Sequence, residues 1–148
     1  MYIDTSVVGG CEDEEWREPS MRLMACFVQG DYVAVLSDLA LQELAAAPEA
    51  VRKHLTEVPE EHIETLWLTG SARDLAEAYI SEGVISVKMR ADAQHIAMAT
   101  LARVDVLVSW NFRHIVNLHR IHGYNAVNLR HDYPILEIRS PLEVLRDA

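Results

Sequence analysis

The sequence predicts an α/β domain built on a mainly parallel sheet. Two observations carry that expectation. Short β-rich apolar runs alternate along the chain with segments of helical periodicity. The run Asp105–Ser109 is also nearly unbroken in its apolar character, as a strand covered on both faces requires. With 148 residues, 50% of them hydrophobic, the chain suits one core, so a single domain over 1–148 is expected.

The elements follow in order. Met1 to Val8 reads as a central strand, and the acidic stretch Cys11 to Glu18 as a loop. Pro19 fits the first turn of a helix whose apolar face is Leu23, Met24, Phe27 and Val28, and Gly30 ends it. Tyr32 to Ser37 reads as a second strand, after which Ser37 or Asp38 caps a helix running to Ala47. Pro48 starts another short helix and Pro59 closes it; His62 to Leu68 reads as a strand. Ser71 with Asp74 forms a capping box for a helix to Glu82, stopped by Gly83. Met89 to Arg103 reads as a helix, Asp105 to Ser109 as a strand, and Asn111 to His122 as a basic helix. Ala126 to Leu129 and Ile135 to Ile138 read as short strands. Ser140-Pro141-Leu142-Glu143 is a capping box with proline at the first helical position of a terminal helix.

Composition narrows the function classes. No apolar run is long enough to span a membrane, and no basic region precedes an apolar stretch at the N-terminus, so a soluble, unsecreted, cytoplasmic protein is expected. Cys11 and Cys26 lack metal-site spacing and read as free thiols in a reducing compartment. The formal charge of −10 argues against a broadly basic nucleic-acid surface, while leaving room for a local basic rim.

Three carboxylates stand out against apolar surroundings. Asp4 interrupts the first strand near its end, where parallel α/β sheets bind ligands, and Thr5 and Ser6 add hydroxyls there. Glu43 has Leu39, Ala40, Ala46 and Ala47 three and four positions away, so it faces the apolar side of its helix; the alternative is an edge glutamate reaching solvent by its stem. Asp92 lies in the first turn of its helix, where a dipole-favoured carboxylate is common. Asn111 follows the strand Val106-Leu107-Val108 and fits either a helix cap or an amide-oxygen ligand. Carboxylates at the edge of a core ask for pairing or a cation. Oxygen-only ligation points to a hard ion, Mg²⁺ or Mn²⁺. His95, on an apolar helix, reads as a packed core residue, and Trp110 and Phe112 as core or rim packing.

The segments "YIDTSV", "LSDLALQEL", "DAQHIAMA" and "VLVSWNFRHI", in that order and spanning nearly the whole chain, resemble the PIN domain. Within that family they are most similar to the VapC-like proteins, many of which are toxins of type II toxin–antitoxin pairs. The closing "YPILEIRSPLEVL" resembles the end of such a domain. The resemblance implies a three-layer α/β/α fold and a Mg²⁺- or Mn²⁺-dependent endoribonuclease. It aligns Asp4, Glu43 and Asp92 with the family's first three acids, and Asn111 with the place where a fourth acid is often found. It thus implies Asp4, Glu43, Asp92 and Asn111 as catalytic and metal-holding residues, with Ser6, Ser109, Arg113 and His114 on the substrate side. RNA as substrate, a small antitoxin protein as partner and a homodimer are implied with them. The departure at Asn111 leaves three charged ligands and bears on metal affinity and activity.

Phosphodiester hydrolysis needs such a set for its own reasons, because a divalent ion neutralises phosphoryl oxygens and makes water a better nucleophile. Lys88, Arg90, Arg113, His114, His119, Arg120, Arg130 and His131 form either a phosphate-gripping rim or ordinary solvated charges. Glu12 to Glu15 and Glu18 read as a solvated loop, the alternative being that they deter indiscriminate RNA binding. The rival function is a PIN-fold module that binds RNA or protein without cutting, which Asn111 and the net charge favour. A metal-dependent phosphatase on another α/β fold is disfavoured, since no Asp-x-Asp pair or phosphate-cradling glycine loop is present.

Overall fold

Successive residues of the short strands point into two different cores. Tyr2, Val35, Leu107 and Ile138 join one apolar cluster, with Leu75, Tyr79, Ile96 and Tyr124. Ile3, Ala34, Leu36 and Val108, each one residue away, join the other, with Val7, Leu23 and Phe27. A sheet apolar on both faces has to be covered on both, and three layers result. The computed structural model describes residues 1–146.

The sheet has five strands, β1 (Tyr2–Ile3), β2 (Ala34–Ser37), β3 (Ile63–Leu66), β4 (Leu107–Val108) and β5 (Ile138–Arg139). Their order is β3-β2-β1-β4-β5 and every pairing is parallel. Tyr2 is the register centre, opposite Val35 on one side and Leu107 on the other. Helices α1 (Thr5–Gly10), α2 (Arg17–Gln29), α3 (Asp38–Ala45), α4 (Glu49–Thr56) and α8 (Pro141–Arg146) contribute to the second cluster; α5 (Gly70–Ser81), α6 (Arg90–Leu101) and α7 (Leu118–Arg130) contribute to the first. The chain builds outward from β1 through β2 to β3, then crosses back to β4 on the other side of β1. In sheets of this kind such a reversal sets the ligand crevice at the carboxyl ends of the two strands that flank it, here β1 and β4.

Several boundaries differ from the sequence expectation, each for a local reason. The first strand stops at Ile3 instead of Val8, because the Asp4 carboxylate accepts the Ser6 N–H at 3.1 Å and caps α1. A side-chain cap outweighs the β propensity of Val7 and Val8, which enter the core from a helix. Ala126 to Leu129 is not a strand but lies inside α7, with Tyr124, Val127 and Asn128 buried at helical spacing. The helix expected from Asn111 begins only at Leu118, capped by Asn117 on the Arg120 N–H at 3.2 Å. Thr69 rather than Ser71 caps α5, accepting the Ala72 N–H at 3.2 Å. Pro59 opens a short 3₁₀ turn, Glu60–His62, after α4 has already ended. Of the expected strand Ile135–Ile138, only Ile138 lies in β5.

Other punctuation stands as read. Gly30 ends α2 with φ of 84°, a left-handed turn that glycine adopts without strain. Ser37 caps α3 on the Ala40 N–H at 3.0 Å. The Ser140–Glu143 capping box makes both of its bonds. Gly10 has no room for a side chain, since a Cβ would run into the Ser20 hydroxyl and the Trp110 indole that bond each other there. Cys11, buried, and Cys26, partly exposed, are free thiols. Among the described residues no helix is long and apolar enough to cross a membrane.

Candidate functional site

Asp4, Glu43 and Asp92 reach the crevice from three different elements: the end of β1, the middle of α3 and the first turn of α6. Asp4 is almost wholly enclosed, at 5% exposure. Burial raises its pKa, and hydrogen bonds from Ser109 and Ser6 oppose that rise. Ser6 Oγ donates to Oδ1 at 2.5 Å and Ser109 Oγ to Oδ2 at 2.6 Å. Hydroxyl donors at both oxygens compensate a carboxylate that water barely reaches.

Glu43 behaves in the opposite way. Its pKa is lowered, chiefly by a hydrogen bond to His95, with Thr5 adding to the effect. His95 Nε2 lies 2.8 Å from Oε1, and Thr5 Oγ1 donates to Oε2 at 3.0 Å. The side chain is 40% exposed, so the expectation of an inward-facing Glu43 is corrected: Ala40 and Leu44 form the buried stripe of α3, and Glu43 bends over the crevice from its rim. Asp92 has a raised pKa, first through burial, with Asp4 and Glu43 adding repulsion and His95 and His114 opposing it. Asp92 therefore feels the charge of both other acids.

Asn111 occupies neither of the positions its amide was expected to choose between in pure form. Its Oδ1 accepts the backbone N–H groups of Arg113 at 3.2 Å and His114 at 2.9 Å, as a cap does, although the segment it caps is a turn. Its Nδ2 donates to Asp92 Oδ2 at 3.3 Å. The amide oxygen is turned toward the backbone, so what Asn111 offers the acids is a donor.

The hydroxyls also take other roles than substrate contact. Ser109 is fully buried and bonds Asp4 while accepting the Asn111 N–H at 2.9 Å, so it lies behind the acid instead of in front of it. Ser6 Oγ holds Asp4 and accepts the Trp110 N–H at 2.9 Å. That bond fastens an aromatic group to the crevice wall: Trp16 stacks on Trp110 at 4.2 Å, and half-exposed Phe112 lies 5.9 Å from Trp16.

Much of the expected basic rim is already engaged. Arg90 pairs with Glu77 at 2.6 Å, Arg130 and His131 pair with Glu82, and Arg120 Nε donates to the Arg113 carbonyl at 3.2 Å. Arg113 is exposed and makes no ion pair among the described residues. Among the described residues the buried His114 Nδ1 has no hydrogen-bond partner. Sequence reasoning missed His95 and Tyr2, whose polar atoms join the network from the apolar face: Tyr2 Oη lies 2.5 Å from His95 Nδ1. The only available signal was a histidine one turn beyond Asp92.

Whether these residues suit a cation turns on donor chemistry and reach. The donors are carboxylate oxygens, two of them with pKa values raised by burial, Asp92 also by repulsion from Asp4 and Glu43, which an ion would relieve. Among the described residues no group of three or more His, Cys, Asp or Glu side chains stands arranged to hold a metal ion. A Mg²⁺-like ion does not need such a group, since it keeps several waters and takes only one or two carboxylates directly. Carboxylate oxygen is the donor type that a hard, partly hydrated divalent ion takes.

No family model matches the chain, and no curated protein matches it. Among solved structures it is similar to VapC20 of Mycobacterium tuberculosis, described as a sarcin–ricin loop cleaving toxin. The two share 14% identity at a TM-score of 0.57, over 76% of this chain and 90% of that one. At that identity the likeness is one of fold: a parallel five-stranded sheet between helical layers, the PIN-like α/β/α architecture expected from the sequence.

Proposed function

We propose that this chain is a Mg²⁺- or Mn²⁺-dependent endoribonuclease of the PIN type, the toxin of a type II toxin–antitoxin pair. The observation that carries the reading is the convergence of Asp4, Glu43 and Asp92 on one crevice at the carboxyl ends of β1 and β4. The fold shared with VapC20, a toxin that cleaves the sarcin–ricin loop, supports RNA as the substrate. A small antitoxin protein, a second copy of the chain and a cytoplasmic site of action belong to the proposal through the family resemblance.

In this reading Asp4, Glu43 and Asp92 hold the ion, which supplies charge neutralisation for the phosphoryl oxygens and a more acidic water. Ser6 and Ser109 favour the charged form of Asp4 against its burial and aim it by donating to its two oxygens. Asn111 orients Asp92 through Nδ2. Arg113, exposed beside the crevice, meets the phosphate backbone without reading sequence.

The test is cleavage of mixed RNAs by purified protein with Mn²⁺, with Mg²⁺ and with chelator, alongside Asp92→Asn. Cleavage that needs the ion and disappears in the variant is expected. Intact RNA after incubation of folded wild-type protein with either ion would overturn the reading. A second reading, a PIN-fold module that binds RNA without cutting it, is favoured by one observation: the fourth position offers an amide whose oxygen is turned to the backbone. Saturable RNA binding with no product would select it.

A further inference from the structure

Ser37 caps α3, α3 carries Glu43, Glu43 bonds His95, His95 bonds Tyr2, and Tyr2 bonds Ser37. The bonds form a closed ring that starts and ends on one helix. The distances around it are 2.8 Å from Glu43 Oε1 to His95 Nε2, 2.5 Å from His95 Nδ1 to Tyr2 Oη, and 2.9 Å from Tyr2 Oη to Ser37 Oγ. Tyr2 and Ser37 are wholly buried and His95 is 2% exposed, so water does not compete for these bonds. The two rings also meet edge to face, 5.8 Å apart.

Each buried member sits beside one of the acids. Tyr2 precedes Asp4 by two residues of extended backbone, and so shares its side of the chain. His95 follows Asp92 by three residues on α6, and so shares its face. Ser37 begins the helix that carries Glu43. Nothing about packing alone requires a polar ring here, because a phenylalanine and a leucine would fill the same space. A half-exposed glutamate, by contrast, has several rotamers, and only an anchored one presents a defined oxygen. A histidine whose far nitrogen is held in turn is how proteins commonly aim groups around a metal.

We propose that Tyr2 and His95 are positioning residues that fix Glu43, and with it the spacing of the three carboxylates, for a divalent cation. This rests on the proposed function and deepens it. Glu43 is an acceptor only, so His95 donates from Nε2 and Tyr2 holds the opposite side of the ring.

The test is calorimetric titration of Mn²⁺ into the full-length protein. Binding by the wild type is read first, and its absence would remove the proposed function itself. Given binding, Tyr2→Phe, which deletes one hydroxyl, and His95→Leu should each weaken Mn²⁺ by about tenfold or more, the usual effect of losing an outer partner. His95→Gln, which keeps an N–H for Glu43, should recover most of that loss. In a Glu43→Gln background Tyr2→Phe should have little further effect, because its action runs through the glutamate. Unchanged Mn²⁺ affinity in Tyr2→Phe and His95→Leu would overturn the proposal. So would an equal loss in the Glu43→Gln background, which would mark a general softening of the fold.

Discussion

Ser109 and Asp4 stand 105 residues apart in the chain, and the serine hydroxyl donates to Asp4 Oδ2 at 2.6 Å. The pairing of β1 with β4 brings them together, as Ile3 and Val108 are register partners one residue earlier on each strand. The same hydroxyl accepts the Asn111 N–H. One buried group thus links the first and fourth positions of the crevice, and it explains how a carboxylate at 5% exposure is tolerated.

Ser109→Ala removes that donor and leaves a buried carboxylate oxygen short of a partner. The expected cost is about 1–3 kcal/mol of stability, read from urea unfolding at neutral pH. An unchanged midpoint would mean that Asp4 finds another donor without cost.

Asp92→Asn tests, through pH, the burial of Asp92 and the repulsion it feels from Asp4 and Glu43. Burial raises the pKa values of both Asp4 and Asp92 in the folded state. The native protein therefore holds protons that the unfolded chain releases above roughly pH 4. Their contribution favours folding at low pH, declines as pH rises through the raised native values, and is then flat. The metal-free variant should melt higher than wild type at pH 7, with the gain fading toward pH 4. For a domain this size about 1 kcal/mol moves Tm by ~2–4 °C. Glu43 has the opposite sign, its lowered pKa giving stability that is lost as pH falls. A pH-independent difference in Tm would rule out the raised pKa of Asp92, by burial and repulsion, as its cause.

Asn111→Asp keeps an oxygen for the Arg113 and His114 N–H groups but replaces the donor 3.3 Å from Asp92 with a second carboxylate oxygen. Without metal the variant should melt lower, by a few degrees on the same scale. With Mn²⁺ it should bind several-fold more tightly, since hard-ion affinity rises with ligand charge. Calorimetry and melting curves on both proteins decide it, and a variant matching wild type in both would place position 111 outside the site.

Arg113→Ala should weaken RNA binding similarly across sequences and reduce the salt slope by about one unit, the amount expected for one neutralised phosphate. Arg113 is the test case because Arg90 and Arg130 already pair with glutamates. A slope identical to wild type would return Arg113 to a solvated charge.

What was legible in the sequence was whatever neighbouring residues decide among themselves. The alternation of apolar strands and periodic helices, the Gly30 stop, the Ser37 cap and the Ser140–Glu143 box are interactions over a few residues, and they appear where expected. The fold class follows, because a sheet apolar on both faces must be covered on both. The three acids were visible for a related reason: a carboxylate in an apolar run is costly unless something compensates it. Where short windows carried two readings, the local signal failed. Val7 and Val8 suit a strand or a helix, and the Asp4 cap decided for the helix; Ala126 to Leu129 became helical once Tyr124, Val127 and Asn128 had a core to face.

The partners of the acids were settled only by the tertiary structure. Ser109 reaches Asp4 across 105 positions, His95 reaches Glu43 across 52, and Tyr2 reaches His95 across 93. Those separations are set by strand order and crossover, and sequence spacing contains neither. His95 looked like a core histidine and is buried as one, but both its nitrogens are engaged across elements. Asn111 showed its residue type in the sequence but not the direction of its amide, which depends on the backbone N–H groups of the turn that follows and on Asp92 arriving from α6. A side chain's identity fixes which bonds it can make; the packing of distant elements selects the ones it does make.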